Sequence, residues 1–257
     1  MKNLLITIGH PISEMILHFG RIVLLLLNII IAIPYAISKF WLVINEIYFC
    51  GVKSITIIAV SGWFVGMVLG LQGYNTLARF GSVSVLGSLV ALSLTRELGP
   101  VLTTILFAAR AGSAITSGIG LMKATEQIDA MSVMAVSPIK RVIAPKFIGG
   151  IISVPFLVAI FNVAGIFGGY FVGVVLLKLD SGTFWSQMQD SVSLHQDIIN
   201  GFIKSALFGI AVNLIAVYQG LIAKPTPDGV AIATTNTVVF SALTTLGMDY
   251  ILTSLMF

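Results

Sequence analysis

The sequence predicts an all-α membrane protein, a bundle of five transmembrane helices preceded by a membrane-embedded N-terminal element. Of its 257 residues, 57% are hydrophobic and only 9% are charged, whereas ordinary soluble domains carry roughly 25% charged residues. Runs of apolar residues long enough to cross a hydrocarbon layer of about 30 Å recur along most of the chain. This composition excludes a soluble enzyme, a disordered chain and a disulfide-bonded secreted domain.

The N-terminal element, residues 1–40, is predicted to be an interfacial or elbow helix. Residues 3–20 mix apolar positions with charged and titratable ones, His10 and Glu14 among them, as in helices that lie along a membrane surface. The apolar stretch 22–38 is short and is interrupted by Pro34, so a full span and an elbow are both open. No small-residue cleavage site follows, and we do not expect a cleaved signal peptide.

The remaining residues form one bundle, 54–256. Its predicted spans are 54–78, 86–115, 147–177, 198–222 and 230–256. The 116–146 connection carries the densest cluster of lysine and arginine, whereas the 178–197 connection is acidic. Basic loops stay in the cytoplasm, so the N-terminus is predicted to be cytoplasmic and the C-terminus to lie outside. The net charge of +4 therefore reports topology and gives no indication of nucleic-acid binding.

Two spans carry glycines at four-residue spacing, which places them on one helix face and allows close approach of a neighbouring backbone. These glycines are Gly62, Gly66 and Gly70 in the first span and Gly165, Gly169 and Gly173 in the third. The spacing predicts helix packing, either within one chain or between two copies.

Charged residues occur at membrane depth. Arg96 and Glu97 lie about ten residues into the second span, where a charge costs roughly 2.5–3.5 kcal/mol. They therefore belong either to an Arg–Glu pair that fixes helix packing or to a polar substrate cavity. Lys204 either reaches the outer interface or meets the same cavity, and Asp249 is predicted to be its partner or that of a backbone group.

Gln72 and Tyr74 close the first span. They suit either the mouth of a cavity or the belt of aromatic residues at a membrane interface.

The cytoplasmic segment 118–131 is predicted to be one short amphipathic helix that docks into a partner. Its apolar positions can share one face; they are Leu121, Ile128 and Met131. A helix that rests on lipid is the alternative, which Glu126 and Asp129 disfavour because the inner leaflet is anionic.

Several chemistries lack their motifs. No Gly-Lys dipeptide occurs, so the chain has no P-loop for ATP. The three histidines are scattered and Cys50 is the single cysteine, so no metal site is predicted. His195 and Asp197 are read as a polar loop. We therefore predict no catalytic residue, no cofactor and no enzyme activity of the chain itself.

Several motifs, in order, resemble the MlaE/YrbE permeases, the membrane subunits of ABC-type phospholipid transporters that maintain outer-membrane lipid asymmetry in Gram-negative bacteria. They are Ser-Gly-Trp-Phe-Val-Gly-Met-Val-Leu-Gly-Leu-Gln-Gly-Tyr at 61–74, Thr-Arg-Glu-Leu-Gly-Pro at 95–100, Ala-Arg-Ala-Gly-Ser-Ala at 109–114, Ala-Thr-Glu-Gln-Ile-Asp at 124–129 and Leu-Thr-Ser-Leu-Met-Phe at 252–257. The resemblance covers nearly the whole chain.

The resemblance implies a set of partners in the bacterial inner membrane. A homodimer would enclose a phospholipid cavity and bind a cytoplasmic ATPase of the MlaF type through a coupling helix at 118–131. A STAS-domain protein of the MlaB type would bind the ATPase. A periplasmic MCE-domain hexamer of the MlaD type would continue the lipid path.

The resemblance also implies roles for particular residues. The cavity set would be Gln72, Tyr74, Arg96, Glu97 and Lys204. The ATPase-coupling set would be Leu121, Lys123, Glu126, Gln127 and Asp129. The chain departs from the family at Gly118, where many members have glutamate, and at Lys123, where arginine is commoner and offers bidentate geometry that lysine lacks.

The hypothesis is thus a phospholipid permease driven by a partner ATPase. Two rival classes remain: a secondary transporter or channel that uses Glu97 or Asp249 as an ion site, and a scaffold that only anchors other subunits. The missing internal repeat disfavours the first, and charges at mid-membrane disfavour the second.

Overall fold

The computed structural model describes the backbone of residues 2–256 and the side chains of that range except residues 2–16, Phe19 and Leu194. His10 and Glu14 of the predicted interfacial helix lie outside the described side chains. The regular structure of the described residues is helical. The helices are α1 (Lys2–Ser38), α2 (Phe40–Arg79), α3 (Val83–Ala124), α4 (Gln127–Val133), α5 (Ile139–Leu176), α6 (Ser181–Ser191), α7 (His195–Ile222) and α8 (Pro227–Met256).

Six helices of the described residues are long and apolar enough to cross a membrane: Gly20–Ser38 within α1, and the whole of α2, α3, α5, α7 and α8. The five predicted spans coincide with the last five of these, except that the span 147–177 extends one residue past the end of α5 at Leu176, and the agreement confirms the all-helical membrane class. The helices exceed the predicted spans mainly at α2, which begins at Phe40, and at α3, which continues to Ala124. These helices extend past the apolar stretches of the sequence, so hydropathy alone does not predict where they begin and end.

The predicted interruption at Pro34 is wrong for the backbone, because α1 continues through it to Ser38. A proline removes one helical hydrogen bond, yet neighbouring groups often compensate within membrane helices. The chain turns at Lys39 instead, and Phe40 begins α2.

The glycine faces pack α2 against α5 within one chain. A Cβ atom added at Gly62 would lie 2.6 Å from the carbonyl oxygen of Phe161, and one at Gly66 would overlap the carbonyl oxygen of Gly165. At Gly70 the added atom would lie 3.0 Å from the oxygen of Gly169. These close approaches are contacts within one chain, the first of the two forms of packing that the spacing predicts.

The core lies around α3 and α7. Helix α7 packs against α3, α5 and α8, and 56% of the apolar windows of both α3 and α7 is buried. By contrast, only 11% of the corresponding window of α8 is buried, although that helix is apolar enough to span. Most of the α8 surface is therefore available to lipid or to another protein.

The predicted helix over 118–131 is divided in two. Helix α3 ends at Ala124 and α4 starts at Gln127, because Glu126 adopts a left-handed conformation with φ 57°. Leu121 is consequently exposed, whereas Ile128 and Met131 are half-buried. The single apolar face expected for these three side chains does not form across the break.

Helix α6 covers the start of α3. Asp180 caps it, since its carboxylate accepts hydrogen bonds from the Thr183 backbone N–H at 2.7 Å and from the Thr183 hydroxyl at 2.9 Å. These bonds lower the pKa of Asp180 below its ordinary value, so the cap is ionised at neutral pH. The Ser88 hydroxyl donates to the Gln187 carbonyl at 2.8 Å, which ties α6 to α3.

Candidate functional site

Helix α3 is interrupted by two π-helical segments, and each contains a charged residue of the second span. Leu94–Leu98 includes Arg96 and Glu97, and Ala108–Gly112 includes Arg110. A π-helical turn adds a residue to the helix and is common at functional sites. The two arginines lie fourteen residues apart, or about 21 Å along the helix, and have different partners, Asp197 for Arg96 and the Phe49 carbonyl for Arg110.

Arg96 pairs with Asp197 on α7, where the sequence suggested the adjacent Glu97. The Arg96 Nε lies 2.6 Å from Asp197 Oδ1. The other carboxylate oxygen accepts the Ser193 backbone N–H at 2.7 Å. Asp197 is 1% exposed, whereas the Arg96 side chain is 37% exposed. The guanidinium is therefore held by a buried carboxylate, while about a third of the Arg96 side chain remains accessible.

Lys204 is completely buried beside this pair. Its Nζ lies 2.5 Å from Asp249 Oδ1 and 2.8 Å from the Thr253 hydroxyl, both on α8. It also donates to the Arg96 carbonyl at 3.0 Å. Pro100, four residues later, has no N–H to offer that carbonyl. The predicted pairing of Lys204 with Asp249 is confirmed, and Lys204 does not extend to the outer interface.

The two ion pairs join three helices at one level of the bundle. Arg96 links α3 to α7, and Lys204 links α7 to both α3 and α8. Hydrogen bonds from Lys204 to the Arg96 carbonyl and to Thr253, and from the Ser193 N–H to Asp197, supplement the two ion pairs and help to offset the cost of removing the charges from water. We call this group, formed by Arg96, Asp197, Lys204 and Asp249, the charged cluster.

Glu97 stands apart from the other charges because its side chain is exposed on the surface of the protomer. It lies eleven residues after Leu86, where the α-helical part of α3 begins, or about 16 Å along the helix. That distance is about half the thickness of the hydrocarbon layer.

Gln72 and Tyr74 lie nearer the end of the bundle at which α3 begins. Gly73 between them faces Leu86 and Leu89 of α3, a level about 10 Å from Arg96 along the helix. Gln72 is exposed, and Tyr74 is half-buried against the core. The sequence-based cavity set is thus divided between two depths, with Arg96 and Lys204 in contact and Gln72 and Tyr74 above them.

A small cavity of about 30 Å³ lies beneath the charged cluster, lined by Thr95, Asn162, Asp197 and apolar neighbours. The buried Asn162 Oδ1 has no hydrogen-bond partner among the described atoms. A volume of this size admits one or two water molecules. It is far too small for a phospholipid.

The coupling residues cluster where α3 ends. Leu121, Glu126, Gln127 and Asp129 are exposed. Lys123 turns inward instead, and its Nζ donates to the Leu221 carbonyl at 2.7 Å and to the Ala223 carbonyl at 2.9 Å. It therefore ties the end of α3 to the end of α7, where unsatisfied carbonyls attract a cation.

Replacing Lys123 with methionine should loosen this junction. Two carbonyls would lose a charged donor, and each such loss costs about 1–3 kcal/mol. We expect faster backbone hydrogen exchange over residues 219–226, measured by mass spectrometry on the purified protein, while Lys123→Arg retains the slow exchange. Equal exchange in the methionine variant and the parent would contradict the assigned contact.

Where their side chains are described, His, Cys, Asp and Glu residues form no group of three or more that could hold a metal ion. The charged cluster contains two carboxylates, Asp197 and Asp249, but each already has a cationic partner.

Sequence reasoning missed the role of Asp197. It was read as part of a polar loop, yet it is the buried partner of Arg96. The signal that could have identified it is its position. Asp197 lies in the first turn of the helix that also carries Lys204, so one helix brings an acidic and a basic side chain to the depth of Arg96 and Glu97.

Comparison with known proteins gives a consistent relationship. The family described as Permease MlaE matches residues 43–255. The chain is 49% identical to the intermembrane phospholipid transport system permease protein MlaE of Haemophilus influenzae, over 99% of this chain and 98% of the relative. It is 36% identical to a probable ABC transporter permease protein of Rickettsia bellii, over 100% and 99% of the two chains. The corresponding protein of Synechocystis is 32% identical, over 83% and 81%. The chain therefore belongs to the MlaE permease family.

Proposed function

We propose that this chain is the permease subunit of an ABC transporter that moves phospholipids between the inner and outer membranes. Two copies enclose the lipid path, and a partner ATPase supplies the energy. The names of the relatives, a phospholipid transport permease and several probable ABC transporter permeases, support this assignment. The exposure of Glu97 at mid-membrane depth is the structural observation that carries it.

An exposed carboxylate cannot face the hydrocarbon of the bilayer without a large penalty, roughly 2.5–3.5 kcal/mol on the most lenient scale. Glu97 is nevertheless exposed on the isolated protomer, beside the half-exposed Arg96. The surface around these two residues must therefore face water or another protein. A hydrated cavity between two protomers satisfies this requirement and admits a phospholipid head group.

The exposed surface of α8 supports a dimer. Its apolar window is 11% buried, and large hydrophobic side chains project from it, including Phe240, Leu243 and Leu246. A lipid-facing helix has the same composition, so α8 alone does not establish a dimer. The argument for a dimer combines the exposed surface of α8 with the exposed position of Glu97.

The proposed topology places α1 along the cytoplasmic face. His18 contacts the Tyr218 hydroxyl near the end of α7, and Glu46 pairs with Lys146 near the start of α5 at 2.8 Å. Lys123 joins the end of α7 to that of α3, so both contacts lie at one end of the bundle. A helix from His18 to Ser38 covers about 30 Å, and the helical return to Glu46 covers only about 10 Å. If α1 crossed the membrane, Ser38 would lie about 30 Å from that end of the bundle, and so short a return could not bring Glu46 back to it. The two lengths therefore favour an elbow helix.

With α1 as an elbow, five spans leave the N-terminus in the cytoplasm and the C-terminus in the periplasm. The basic segment between α3 and α5 is then cytoplasmic, as the distribution of lysine and arginine predicts. The exposed side chains of Leu121, Val133 and Met134 on this segment suit contact with the ATPase. The STAS-domain protein would bind the ATPase, and the MCE-domain hexamer would cover the periplasmic end.

In the proposed mechanism, Arg96 meets the lipid phosphate, and Asp197 holds its guanidinium in position. Lys204 and Asp249 fix α7 to α3 and α8, so the charged cluster moves as one unit. ATP binding draws the two ATPases together and displaces the segment between α3 and α5. The helices then narrow the cavity and expel the lipid toward the periplasmic tunnel.

Native mass spectrometry of the complex tests this assignment. The chain is purified from a membrane that also expresses its genomic neighbours, and the co-purifying proteins and lipids are identified. We expect two copies of the chain, an ATPase, an MCE-domain protein and bound phospholipid. A single copy with neither ATPase nor lipid would contradict the proposal and favour a secondary transporter.

The paired state of Asp249 weighs against the secondary transporter. An ion site needs a carboxylate that is free to take up and release its ion, whereas Asp249 is held by Lys204 at 2.5 Å. The mid-membrane position of Glu97 likewise disfavours a mere scaffold, which has no need of an exposed charge there.

A further inference from the structure

A second group of charges lies around Phe49, at the end of the bundle that carries the Glu46–Lys146 pair. Lys53 Nζ is 5.2 Å from the centre of the Phe49 ring, Arg110 Cζ is 5.3 Å from it and Lys146 Nζ is 6.0 Å from it. These cations come from three different helices, α2, α3 and α5. No two of them are farther apart than about 11 Å, because all three adjoin one ring.

The positive charges of this group outnumber its negative charge. Glu46 pairs with Lys146 at 2.8 Å, which neutralises one of the three cations. Arg110 is oriented through Nη1, which donates to the Phe49 carbonyl at 2.5 Å and to the Ser54 hydroxyl at 3.2 Å. Neither of those partners carries a charge. Two positive charges therefore remain unneutralised within the group.

Lys53 is the accessible member. Its side chain is exposed, and its contacts among the described residues are with the rings of Tyr48 and Phe49. Tyr48 is 55% exposed and Val52 is 48% exposed, so the surface beside the ammonium is aromatic and apolar. A soluble anion would contact only the ammonium group. A phospholipid can contact both parts of this surface, because its phosphate and its acyl chains are adjacent.

We propose that Lys53 and Arg110, the two cations of this group without an acidic partner in it, form a binding site for the phosphate of an anionic glycerophospholipid in the cytoplasmic leaflet, beside the Glu46–Lys146 pair. The placement in that leaflet rests on the topology of the proposed function. Arginine and lysine are the residues that bind phosphate, and basic pockets between helices on the cytoplasmic side bind anionic head groups. The site is separate from the charged cluster, because Arg96 lies fourteen residues before Arg110 on α3, or about 21 Å along the helix.

Lipid retention in native mass spectrometry tests the site. The purified chain, in its complex, is released from nanodiscs that contain equal amounts of phosphatidylglycerol and phosphatidylethanolamine. Lys53→Gln should lower the retained phosphatidylglycerol about five-fold, the effect expected for one basic residue near an anionic surface. Lys53→Arg should retain it, and the matched control Lys140→Gln removes a cytoplasmic lysine outside the group.

Each outcome is decisive. A loss in Lys53→Gln alone supports the site. Unchanged retention in that variant overturns it, and an equal loss in Lys140→Gln overturns it as well, because the effect is then one of general surface charge. The measurement requires neither ATP hydrolysis nor transport. A failure to transport lipid would therefore leave this result intact, and a failed lipid-retention difference would leave the transport proposal standing.

Discussion

Gly66→Ala is expected to destabilise the protein although alanine is the better helix former. The added methyl group would overlap the carbonyl oxygen of Gly165, so α2 and α5 must move apart along their whole contact. Overpacking of this kind costs about 1–3 kcal/mol. We expect a lower midpoint of thermal unfolding in detergent, followed by the loss of the monodisperse peak in size-exclusion chromatography.

Gly247→Ala supplies the matched control, because an added Cβ atom at Gly247 meets nothing within 4 Å. In this helix interior alanine should be neutral or stabilising by up to about 1 kcal/mol. Opposite signs for the two substitutions would support the packing of α2 on α5. A similar small gain in both would contradict it.

Removal of one partner from the Lys204–Asp249 pair is expected to have the largest effect on stability. Lys204→Met leaves Asp249 without its cation and the Arg96 carbonyl without its donor, because Lys204 forms an ion pair with the first and a hydrogen bond with the second. Breaking a buried pair in this way costs about 3–5 kcal/mol. The measurement is the denaturant midpoint of the purified chain, together with its yield from the membrane.

The double variant Lys204→Met, Asp249→Leu distinguishes pairing from simple packing. Both charges are then absent, and apolar side chains of similar volume often replace a buried pair at little cost. We expect the double variant to recover most of the stability lost in the single variant. If the two substitutions instead add, the side chains contribute independently and the pair is not what holds α7 to α8.

The fold class was predictable because it follows from a one-dimensional property of the chain. Each long apolar run became a helix, and glycines four residues apart were bound to share a face, as Gly62 and Gly66 do. The helix ends were not predictable to the same degree. They depend on contacts between distant segments, such as the hydrogen bonds from Lys123 to the end of α7.

For the charged residues, too, one property was predictable from the sequence and another was not. Their cost in a membrane predicts that Arg96 and Lys204 must have partners, and the structure supplies Asp197 and Asp249. The partner of Arg96 could not be predicted from the sequence. Glu97 is adjacent to Arg96, but adjacent residues on a helix do not face each other, and the actual partner, Asp197, lies on another helix. The π-helical turn at Leu94–Leu98 further rotates Arg96 in a way that a regular helical period does not anticipate.

The division of 118–131 into two helices could not be predicted from the sequence either. Glu126 adopts a left-handed conformation, which is uncommon for a residue other than glycine, asparagine or aspartate. The residues of the segment are good helix formers, so propensity alone predicts continuity. Tertiary contacts at the end of α3 outweigh that preference.

ATP-dependent transfer of phospholipid is the measurement that decides the function. The purified complex is placed in proteoliposomes, and labelled lipid is followed to acceptor vesicles. The parent should transfer lipid only with ATP, and Arg96→Gln should reduce the rate about ten-fold, since Arg96 meets the phosphate in the proposed mechanism, while Arg96→Lys retains part of it. Size-exclusion chromatography verifies that each variant still assembles. Transfer that proceeds without ATP, or at the parental rate in assembled Arg96→Gln, would contradict a permease that carries phospholipid past the charged cluster.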